Sequence, residues 1–294
     1  MDFFPASLQA ADYAIGLARH CNAKLDLLHV VSPVLYNDED YPLSLSEIIG
    51  SLERESGRQM KKLEGKARAA GVTAATAIRT GDVQNEILSA IRRAKADVLV
   101  MGTHGRRGME KWFLGSVTEK MLRRSPIPVL TVHGSRRPVK GIPALRRILV
   151  TTDFSEGTAE ALNYAFFLAR PNKAHVVLMH VLEEMRALTS EQYREELAKR
   201  LQGALVKLIP ADARKWCDIE TRIESGTAYY TILKTLKKEK IDLLVMNTHG
   251  KGMLDRAILG STSERVVRAA RCPVMLVPPR RKAKSNRTKQ TRVA

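Results

Sequence analysis

The strongest constraint on this chain is that it repeats itself. Four dipeptides near the start recur 151 positions later: Asp2-Phe3 as Asp153-Phe154, Tyr13-Ala14 as Tyr164-Ala165, Leu17-Ala18 as Leu168-Ala169, and His29-Val30 as His180-Val181. Later motifs recur at an offset of 145: Gly81 as Gly226, Thr103-His104-Gly105 as Thr248-His249-Gly250, Leu114-Gly115-Ser116 as Leu259-Gly260-Ser261, and Pro128-Val129 as Pro273-Val274. Chance does not easily produce two constant offsets, so the 294 residues are predicted to hold two copies of one domain.

The second copy alternates short apolar runs with helical patterns. The predicted strands and helices are, in chain order, strand 147–152, helix 158–169, strand 176–181, helix 190–208, strand 219–223, helix 227–236, strand 242–246, helix 261–270 and strand 273–277. This alternation predicts right-handed crossovers and a parallel sheet with helices on both faces. The unbroken apolar strand 242–246 agrees with burial on both sides.

The first copy follows the same order but begins too late. Ser44-x-x-Glu47 forms a capping-box pattern at the head of a long predicted helix that runs towards Gly71, and the late strands are 98–101 and 129–132. Asp2 aligns with Asp153, which already has a complete strand before it, so the first copy lacks its first strand. Because that loss would leave several buried backbone groups unpaired, at roughly 1–3 kcal/mol each, we expect a segment like 147–152 upstream of Met1.

Composition and charge fit two soluble domains joined by a basic segment. Hydrophobic residues make up 44% and charged residues 27%, which excludes a collagen-like or wholly disordered chain. Of the net charge of +18, residues 280–294 carry +7 and residues 134–147 carry +5, which leaves +6 for the rest. The predicted domains are 1–133 and 147–278, with a basic linker at 134–146 and a basic disordered tail at 279–294.

Cysteine spacing and hydropathy favour a cytoplasmic protein. Cys21, Cys217 and Cys272 form no C-x-x-C pair, so neither a disulfide framework nor a zinc site is indicated. The amino end lacks a basic segment followed by an apolar one, and no run of about 18 apolar residues occurs. We therefore expect no membrane partner.

A glycine-bearing loop follows the fourth strand of the pattern. In the first copy Gly102-x2-Gly105 is followed, nine residues later, by Gly115-Ser116 at the start of a helix. Such a loop brings backbone amides and the positive end of a helix dipole to one point, which suits phosphate. Gly102 and Gly105 would let the backbone approach a ligand, and Gly115-Ser116 would offer an amide and a hydroxyl to phosphate oxygens.

This spaced motif resembles that of the universal stress protein family, in its tandem two-domain form, over most of the chain from Asp2 to Val277. The resemblance implies a doubly wound α/β domain of five parallel strands in the order 3-2-1-4-5, of the Rossmann-like, adenine nucleotide alpha hydrolase-like type. It implies ATP as the ligand, with Mg²⁺ as an optional companion. The implied binding residues are Asp2, Val30, Met101, Gly102, Gly105, Gly115, Ser116 and Val117 in the first copy, and Asp153, Val181, Asn247, Gly250, Gly260, Ser261 and Thr262 in the second.

In the implied roles the aspartate and the valine backbone hold adenine, the first two glycines border the ribose, and Gly-Ser takes the phosphates. Asn247 departs from the pattern, because glycine is expected there. Asparagine tolerates left-handed backbone better than most residues, so we expect the turn to survive with a side chain that crowds the ribose. The resemblance also implies that the two domains pair through their last strands, 129–132 and 274–277, as a pseudo-dimer, and it allows a homodimer.

Other nucleotide-binding classes fit poorly. A Walker-type NTPase needs Gly-x4-Gly-Lys-Ser/Thr and a Rossmann dehydrogenase needs Gly-x-Gly-x-x-Gly after the first strand, and neither occurs. With no evident base, catalytic lysine or metal carboxylate, no catalytic residue is assigned and any ATP hydrolysis is expected to be slow. The expected function is an ATP-binding stress regulator.

Several residues near the loop have two interpretations. His104 and His249 can touch phosphate or make a loop hydrogen bond, whereas His29 and His180 fit satisfied core residues better than ligands. The cations of the nine-residue spans either neutralise phosphate or form a solvated basic loop; they include Arg106, Arg107, Lys111, Lys251 and Arg256. Cys272 fits a structural role better than a redox one.

Two alternative functions stay open. The basic tail has no aromatic residues between its cations, which favours a solubilising tail over a nucleic-acid contact, though a nucleic-acid-associated protein would use it. The other alternative is a partner-binding module that needs no nucleotide.

Overall fold

The computed structural model describes residues 1–32, 45–103, 114–133, 145–183, 191–248 and 259–279. In the first copy the elements are α1 (Pro5–Cys21), β1 (Leu25–Val31), α2 (Leu45–Ala69), β2 (Ala74–Thr80), α3 (Val83–Ala94), β3 (Leu99–Gly102), α4 (Ser116–Arg124) and β4 (Val129–Val132). In the second copy they are β5 (Arg147–Thr151), α5 (Thr158–Ala169), β6 (His175–Leu182), α6 (Glu191–Leu208), β7 (Asp218–Ser225), α7 (Ala228–Lys238), β8 (Leu243–Asn247), α8 (Ser261–Ala269) and β9 (Val274–Val277).

The second copy is a complete doubly wound sheet. Its strands lie in the order β7-β6-β5-β8-β9 and pair in parallel throughout, which is the predicted order 3-2-1-4-5. β5 is the central strand, and Ile148, Leu149 and Val150 are fully buried. Ile148 and Val150 face one apolar cluster with α5, while Leu149 faces the other cluster with α7 and α8. The strand is therefore apolar because helices cover both of its faces.

The first copy has the same elements without that central strand. β1 pairs in parallel with β2 as a separate two-stranded sheet, and β3 pairs in parallel with β4. Among the described residues no strand lies between β1 and β3, as the alignment of Asp2 with Asp153 predicts. Small clusters hold β1 in place, for example Leu27 against Met60 and Leu63 of α2.

The two copies join through their last strands. β4 and β9 pair antiparallel, with Leu130 opposite Met275, and this pairing joins β3 and β4 to the five strands of the second copy in a seven-stranded sheet. Leu130 and Met275 are equivalent residues, so a local two-fold axis passes between them. The predicted pairing through the last strands is confirmed.

Ion pairs repeat the same symmetry beside the joined strands. Arg123 pairs with Glu119 at 3.0 Å within α4, and Arg268 pairs with Glu264 at 2.8 Å within α8. Each arginine also reaches the other copy, since Arg123 lies 3.7 Å from Glu264 and Arg268 lies 3.7 Å from Glu119. The four side chains are partly exposed, so they add specificity of docking more than stability.

Several predicted features lie outside the described residues. They are Ser44 of the capping box, the linker residues 134–144, and the tail from residue 280. Glu47, the other half of the capping box, lies in the first turn of α2. Within the described part of the chain, no helix is both long and apolar enough to cross a membrane.

Candidate functional site

Each copy begins its candidate site with a strained aspartate-phenylalanine turn. Phe3 has φ 62° and Phe154 has φ 61°, a left-handed conformation that bulky residues rarely adopt. The preceding aspartate closes the turn, because Asp2 Oδ1 accepts from the Phe4 amide and Asp153 Oδ1 accepts from the Ser155 amide, both at 3.1 Å. Strain of this kind persists only where the surroundings hold it, and here the fold builds it twice.

A histidine from the neighbouring strand supports each turn. His29 Nδ1 lies 2.7 Å from the Met1 carbonyl oxygen and His180 Nδ1 lies 2.7 Å from that of Thr152, so the imidazole donates in both. The same rings contact the phenylalanines, with centroids 4.8 Å apart for Phe3–His29 and 4.7 Å apart for Phe154–His180. Both imidazoles are hydrogen-bonded, as predicted, but both are half-buried rather than in the core, and His29 lines the cavity described below.

The predicted valines lie next to these histidines. Val30 in β1 and Val181 in β6 are half-buried near the carboxyl ends of their strands. Parallel strands end at one edge of a sheet, so each valine backbone lies on the same edge as the aspartate turn. The sequence did not single out the phenylalanines, although the recurrence of Asp-Phe was a visible signal for them.

Helices α4 and α8 start at the predicted glycine-serine pairs. Gly115 and Gly260 are the N-cap residues, with nearly equal backbone angles of φ −59°, ψ 138° and φ −58°, ψ 140°. Ser116 and Ser261 are the first helical residues and are exposed. As in any helix, the amides of the first turn have no intrahelical acceptor and point outward from the helix start.

The role expected for the Gly115 amide needs correction. The Gly115 N–H donates to the Thr103 carbonyl oxygen at 2.7 Å, and the Gly260 N–H donates to that of Thr248 at 2.9 Å. These bonds close the glycine loop at its base, so the glycine amides are already used by the fold. The groups that remain for an anion are the amides that follow, at Ser116 and Val117 or at Ser261 and Thr262, and the serine hydroxyls.

A hydroxyl inside each helix fixes the end of the preceding strand. Thr118 Oγ1 donates to the Gly102 carbonyl oxygen at 2.8 Å, and Ser263 Oγ donates to the Asn247 carbonyl oxygen at 2.9 Å. Both hydroxyl residues are buried. Sequence reasoning missed them, though their equivalence at the offset of 145 was available as a signal.

The structure gives Gly102 a packing reason. A Cβ at Gly102 would lie 2.8 Å from both the carbonyl carbon and the oxygen of Ala6, where α1 crosses the end of β3. Neither Gly102 nor Asn247 has positive φ, so the expectation that Asn247 is tolerated for its left-handed backbone is wrong. The chain is extended at this position in both copies, and close contact with the neighbouring helix selects the residue.

Asn247 turns its side chain towards helix α5. In the amide orientation that satisfies both of its ends, Nδ2 donates to the Gly157 carbonyl oxygen at 3.0 Å, and Oδ1 accepts from Thr158 N at 3.2 Å and Ser155 Oγ at 3.1 Å. The second copy has Gly157 where the first has Ala6, and a Cβ at Gly157 would lie 3.1 Å from the Asn247 amide. The first copy therefore has glycine on the strand and alanine at the helix start, whereas the second has asparagine on the strand and glycine at the helix start. The Asn247 side chain hydrogen-bonds to the start of α5.

One large cavity opens at the first copy. Its volume is about 2300 Å³, and it is lined by every first-copy candidate that the structure describes: Asp2, Val30, Met101, Gly102, Gly115, Ser116 and Val117. The same cavity also runs along β1 and β3 as far as Asp97, so these residues share one extended cavity. Gly105 and Gly250 lie outside the described residues, as do the loop histidines and the basic residues of both nine-residue spans.

The described residues give little support for a reactive cysteine or a bound metal ion at the site. Burial raises the pKa of the Cys272 thiol to about 12 and that of Cys21 to about 11, so both are protonated at neutral pH, which fits a structural role. The described residues contain no group of three His, Cys, Asp or Glu side chains that could hold a metal ion.

Fold and site together define a tandem pair of doubly wound α/β domains, each with an anion-suited helix start at the carboxyl edge of its sheet. Residues 1–133 and 144–278 both match the model of the universal stress protein family, so the chain belongs to that family.

Known relatives agree with this assignment. A universal stress protein of Mycolicibacterium smegmatis is 27% identical over 274 residues, which cover 88% of each chain. One from Methanocaldococcus jannaschii is 37% identical over 135 residues, covering 45% of this chain and 77% of the relative. A crystal structure of a universal stress protein from Archaeoglobus fulgidus matches with a TM-score of 0.72 and 23% identity over 95% of this chain and 96% of that one, a likeness of fold.

Proposed function

We propose that each copy binds an adenine nucleotide, ATP in the first place, and that the chain acts as a nucleotide-dependent regulator of a stress response. The observation that carries the proposal is the duplication of the site. The turn, the supporting histidine and the N-capping glycine recur with matching distances, although the two copies have exchanged glycine and side chain at Gly102 and Asn247.

The phosphates would lie at the starts of α4 and α8. The first-turn amides and the exposed hydroxyls of Ser116 and Ser261 are donors, and the helix dipoles favour negative charge at the same point. Adenine would lie at the adjacent edge, held by Asp2 or Asp153 and by the backbone of Val30 or Val181. Under this assignment each predicted domain, 1–133 and 147–278, binds one nucleotide.

The chemistry of the site favours binding over rapid hydrolysis. Fast phosphoryl transfer needs a group that orients the nucleophile and cations that neutralise the γ-phosphate. His29 and His180 use Nδ1 to hold a backbone carbonyl, and both aspartates use Oδ1 to close their own turns. We therefore propose a binding protein with at most slow ATP hydrolysis.

The two sites should differ in affinity because their supports differ. In the second copy, β5 runs directly into Asp153 and holds the turn between β6 and β8. In the first copy, the described residues place the Met1 nitrogen at the equivalent position, 2.5 Å from the Leu28 carbonyl oxygen. A preorganised site loses less entropy on binding, so the second copy should bind more tightly.

The test begins with the protein as purified. Releasing and identifying any co-purified small molecule should yield an adenine nucleotide. ATP titration should then show binding that Gly115→Val and Gly260→Val each reduce at one site, because a branched side chain at the N-cap blocks the approach to the helix start. The matched controls Lys120→Ala and Arg265→Ala change equivalent exposed residues of α4 and α8 and should leave binding unchanged.

Either of two results would contradict the proposal. One is purified protein without nucleotide and without a thermal shift in ATP, which favours a partner-binding module. The other is unchanged ATP binding in the Gly115→Val, Gly260→Val double variant, which makes the glycine loops structural only.

A further inference from the structure

Four helices form one layer on the same face of the seven-stranded sheet. α4, α7 and α8 bury Leu122, Ile232 and Val267 in a single apolar cluster against this face, and α3 packs beside α4 as its equivalent α7 packs beside α8. The ion pair of Arg123 with Glu264 joins α4 to α8 across the two-fold axis. The helices therefore follow one another in the order α3-α4-α8-α7, which we call the four-helix layer.

The positive charge of the helices is concentrated on this layer. α3, α4, α7 and α8 carry net charges of +1, +2, +3 and +1, a total of +7. α1, α2, α5 and α6, which contain more residues, carry 0, +2, −1 and +1, a total of +2. These helices cover the other face, since α1, α5 and α6 bury Tyr13, Phe166 and Leu205 in the cluster on that side and α2 packs on α1. The two faces of the molecule therefore differ in charge.

Most cations of the four-helix layer have no carboxylate partner. Its three acidic side chains each pair with an arginine of the layer, in the pairs Arg93–Glu86, Arg123–Glu119 and Arg268–Glu264. Within the described part of the chain, no ion pair joins the other seven cations of these helices to a carboxylate. All seven are exposed, and they are Arg92, Lys120, Arg124, Lys234, Lys237, Lys238 and Arg265. Clustered charge of one sign raises the local concentration of anions.

Helix dipoles explain only part of this pattern. Four of the seven cations lie in last turns, where a positive charge offsets the negative end of the helix dipole. Lys120, Lys234 and Arg265 lie in the middle of their helices, where the dipole favours neither sign of charge. The mid-helix cations therefore need another explanation.

The two-fold axis arranges the cations in three groups. Lys120 and Arg265 are equivalent residues on either side of the axis, at the centre of the layer. Because β4 and β9 are antiparallel, α3 and α7 end on opposite sides of the layer, with Arg92 on one side and its equivalent Lys237 on the other. Neighbouring helix axes lie about 8–10 Å apart, so the outer groups are separated by about 30 Å. This separation is close to one turn of duplex DNA, about 34 Å.

The side chains of the layer favour duplex DNA over other polyanions. Of the exposed large apolar and aromatic residues in the described ranges, only Tyr230 lies in these four helices. The layer therefore has neither the apolar residues of a membrane-inserting surface nor the row of aromatic rings on which single strands stack. Lysine is depleted at the centre of protein–protein interfaces, which argues against a protein partner. Duplex DNA offers closely spaced phosphates and the two-fold symmetry that two-fold symmetric proteins match.

We propose that the four-helix layer binds the phosphates of double-stranded DNA without sequence preference. Lys120 and Arg265 contact phosphates at the centre, and the outer groups contact phosphates about one helical turn apart. Contacts of this kind position a protein on the duplex and do not read its bases. The cations lie in the middle and last turns of the helices, away from the helix starts assigned to ATP, so the proposal does not rest on nucleotide binding. It also assigns the contact to the folded domains and not to the tail.

The experiment measures binding of the full chain to a labelled duplex of about 30 base pairs by fluorescence anisotropy, between about 50 and 200 mM salt. One variant, Lys234→Gln with Lys237→Gln and Lys238→Gln, removes three cations of α7. The matched control, Lys61→Gln with Lys62→Gln and Lys199→Gln, removes three exposed lysines of α2 and α6 and has the same net charge. Every chain keeps the tail, so the tail contributes equally to both variants.

The α7 variant should bind the duplex about tenfold more weakly or worse at the lowest salt, because each lost phosphate contact releases fewer counterions. Its dependence of log K on log salt should become shallower by about two to three. The control should keep both values, and ATP binding should be unchanged in both variants. Lys120→Gln with Arg265→Gln tests the centre independently and should make the salt dependence shallower by about one to two.

Equal weakening in the control and the α7 variant would overturn the proposal, because net charge or the tail would then account for binding. Absence of duplex binding by the unmodified chain would overturn it as well. Tighter binding to a single strand of the same length, or to vesicles that contain phosphatidylserine, would show that duplex DNA is the wrong partner.

Discussion

The two copies have equal site geometry and unequal sheets. The aspartate-phenylalanine turn has nearly the same φ, the same closing bond and the same histidine contact in both, yet β5 supports it only in the second. The turn therefore has the same shape whether or not a described strand precedes it, and in both copies it contacts the neighbouring strand, β1 or β6. Sheet continuity, in contrast, depends on that central strand, and the sheet of the first copy is split without it.

A second difference concerns how one close contact is resolved. The first copy places glycine on the strand, at Gly102, beneath the backbone of Ala6. The second copy places glycine in the helix start, at Gly157, and uses Asn247 to bond the same turn. The comparison shows that the residue at a motif position can change without altering the geometry of the adjacent helix start. The condition is that the residue in contact with it changes as well.

The largest difference should follow from truncating equivalent leucines. Leu178→Ala in β6 should destabilise the second copy by about 2–5 kcal/mol, because Leu178 is fully buried between two strands. Leu27→Ala in β1 should cost less, because Leu27 already adjoins the open cavity. Urea unfolding followed by hydrogen exchange reads each copy separately. Equal losses of stability at both positions would show that Leu27 is packed as tightly as Leu178.

A smaller effect is expected from exchanging the residues at the strand ends. Gly102→Asn should destabilise the first copy by about 1–3 kcal/mol, since its Cβ would meet the Ala6 backbone at 2.8 Å. Asn247→Gly should cost about 1–2 kcal/mol through lost hydrogen bonds. Thermal unfolding of each single variant checks both values. A neutral Gly102→Asn would contradict the packing explanation.

The pairing of Gly157 with Asn247 is tested by a double-mutant cycle. Gly157→Ala alone should be unfavourable, because its Cβ would lie 3.1 Å from the Asn247 amide. In the Asn247→Gly background the same change should become neutral, giving a coupling free energy of about 1 kcal/mol. Additive effects would show that the two positions do not depend on each other.

The smallest effect should come from the ion pairs across the two-fold axis. Arg123→Met and Arg268→Met should each cost no more than about 1 kcal/mol and should match each other, because the charges are partly exposed and symmetric. The cost should fall as salt concentration rises. Denaturant midpoints at low and high salt give the comparison, and unequal costs would mean that the pseudo-symmetry does not extend to these side chains.

Much of the fold was predictable because the chain holds two copies of one domain, and each copy can be aligned with the other. The repeat predicted helix 158–169 and strand 129–132 to the residue. Other features depend on contacts between distant elements. The Gly115 N–H donates to the Thr103 carbonyl oxygen, and the Ala6 backbone leaves no room for a side chain at Gly102. Neither Thr103 nor Ala6 is close in sequence to its partner.

The most direct test of the account is calorimetric titration of the full chain with ATP. We predict two sites per chain with unequal affinity, the tighter one lost in Gly260→Val and the weaker one lost in Gly115→Val. Joining residues 145–152 to Met1 should bring the two affinities closer, because the first copy then gains the support that β5 gives the second. Equal sites in the unmodified chain, or loss of the tighter site in Gly115→Val, would contradict the account.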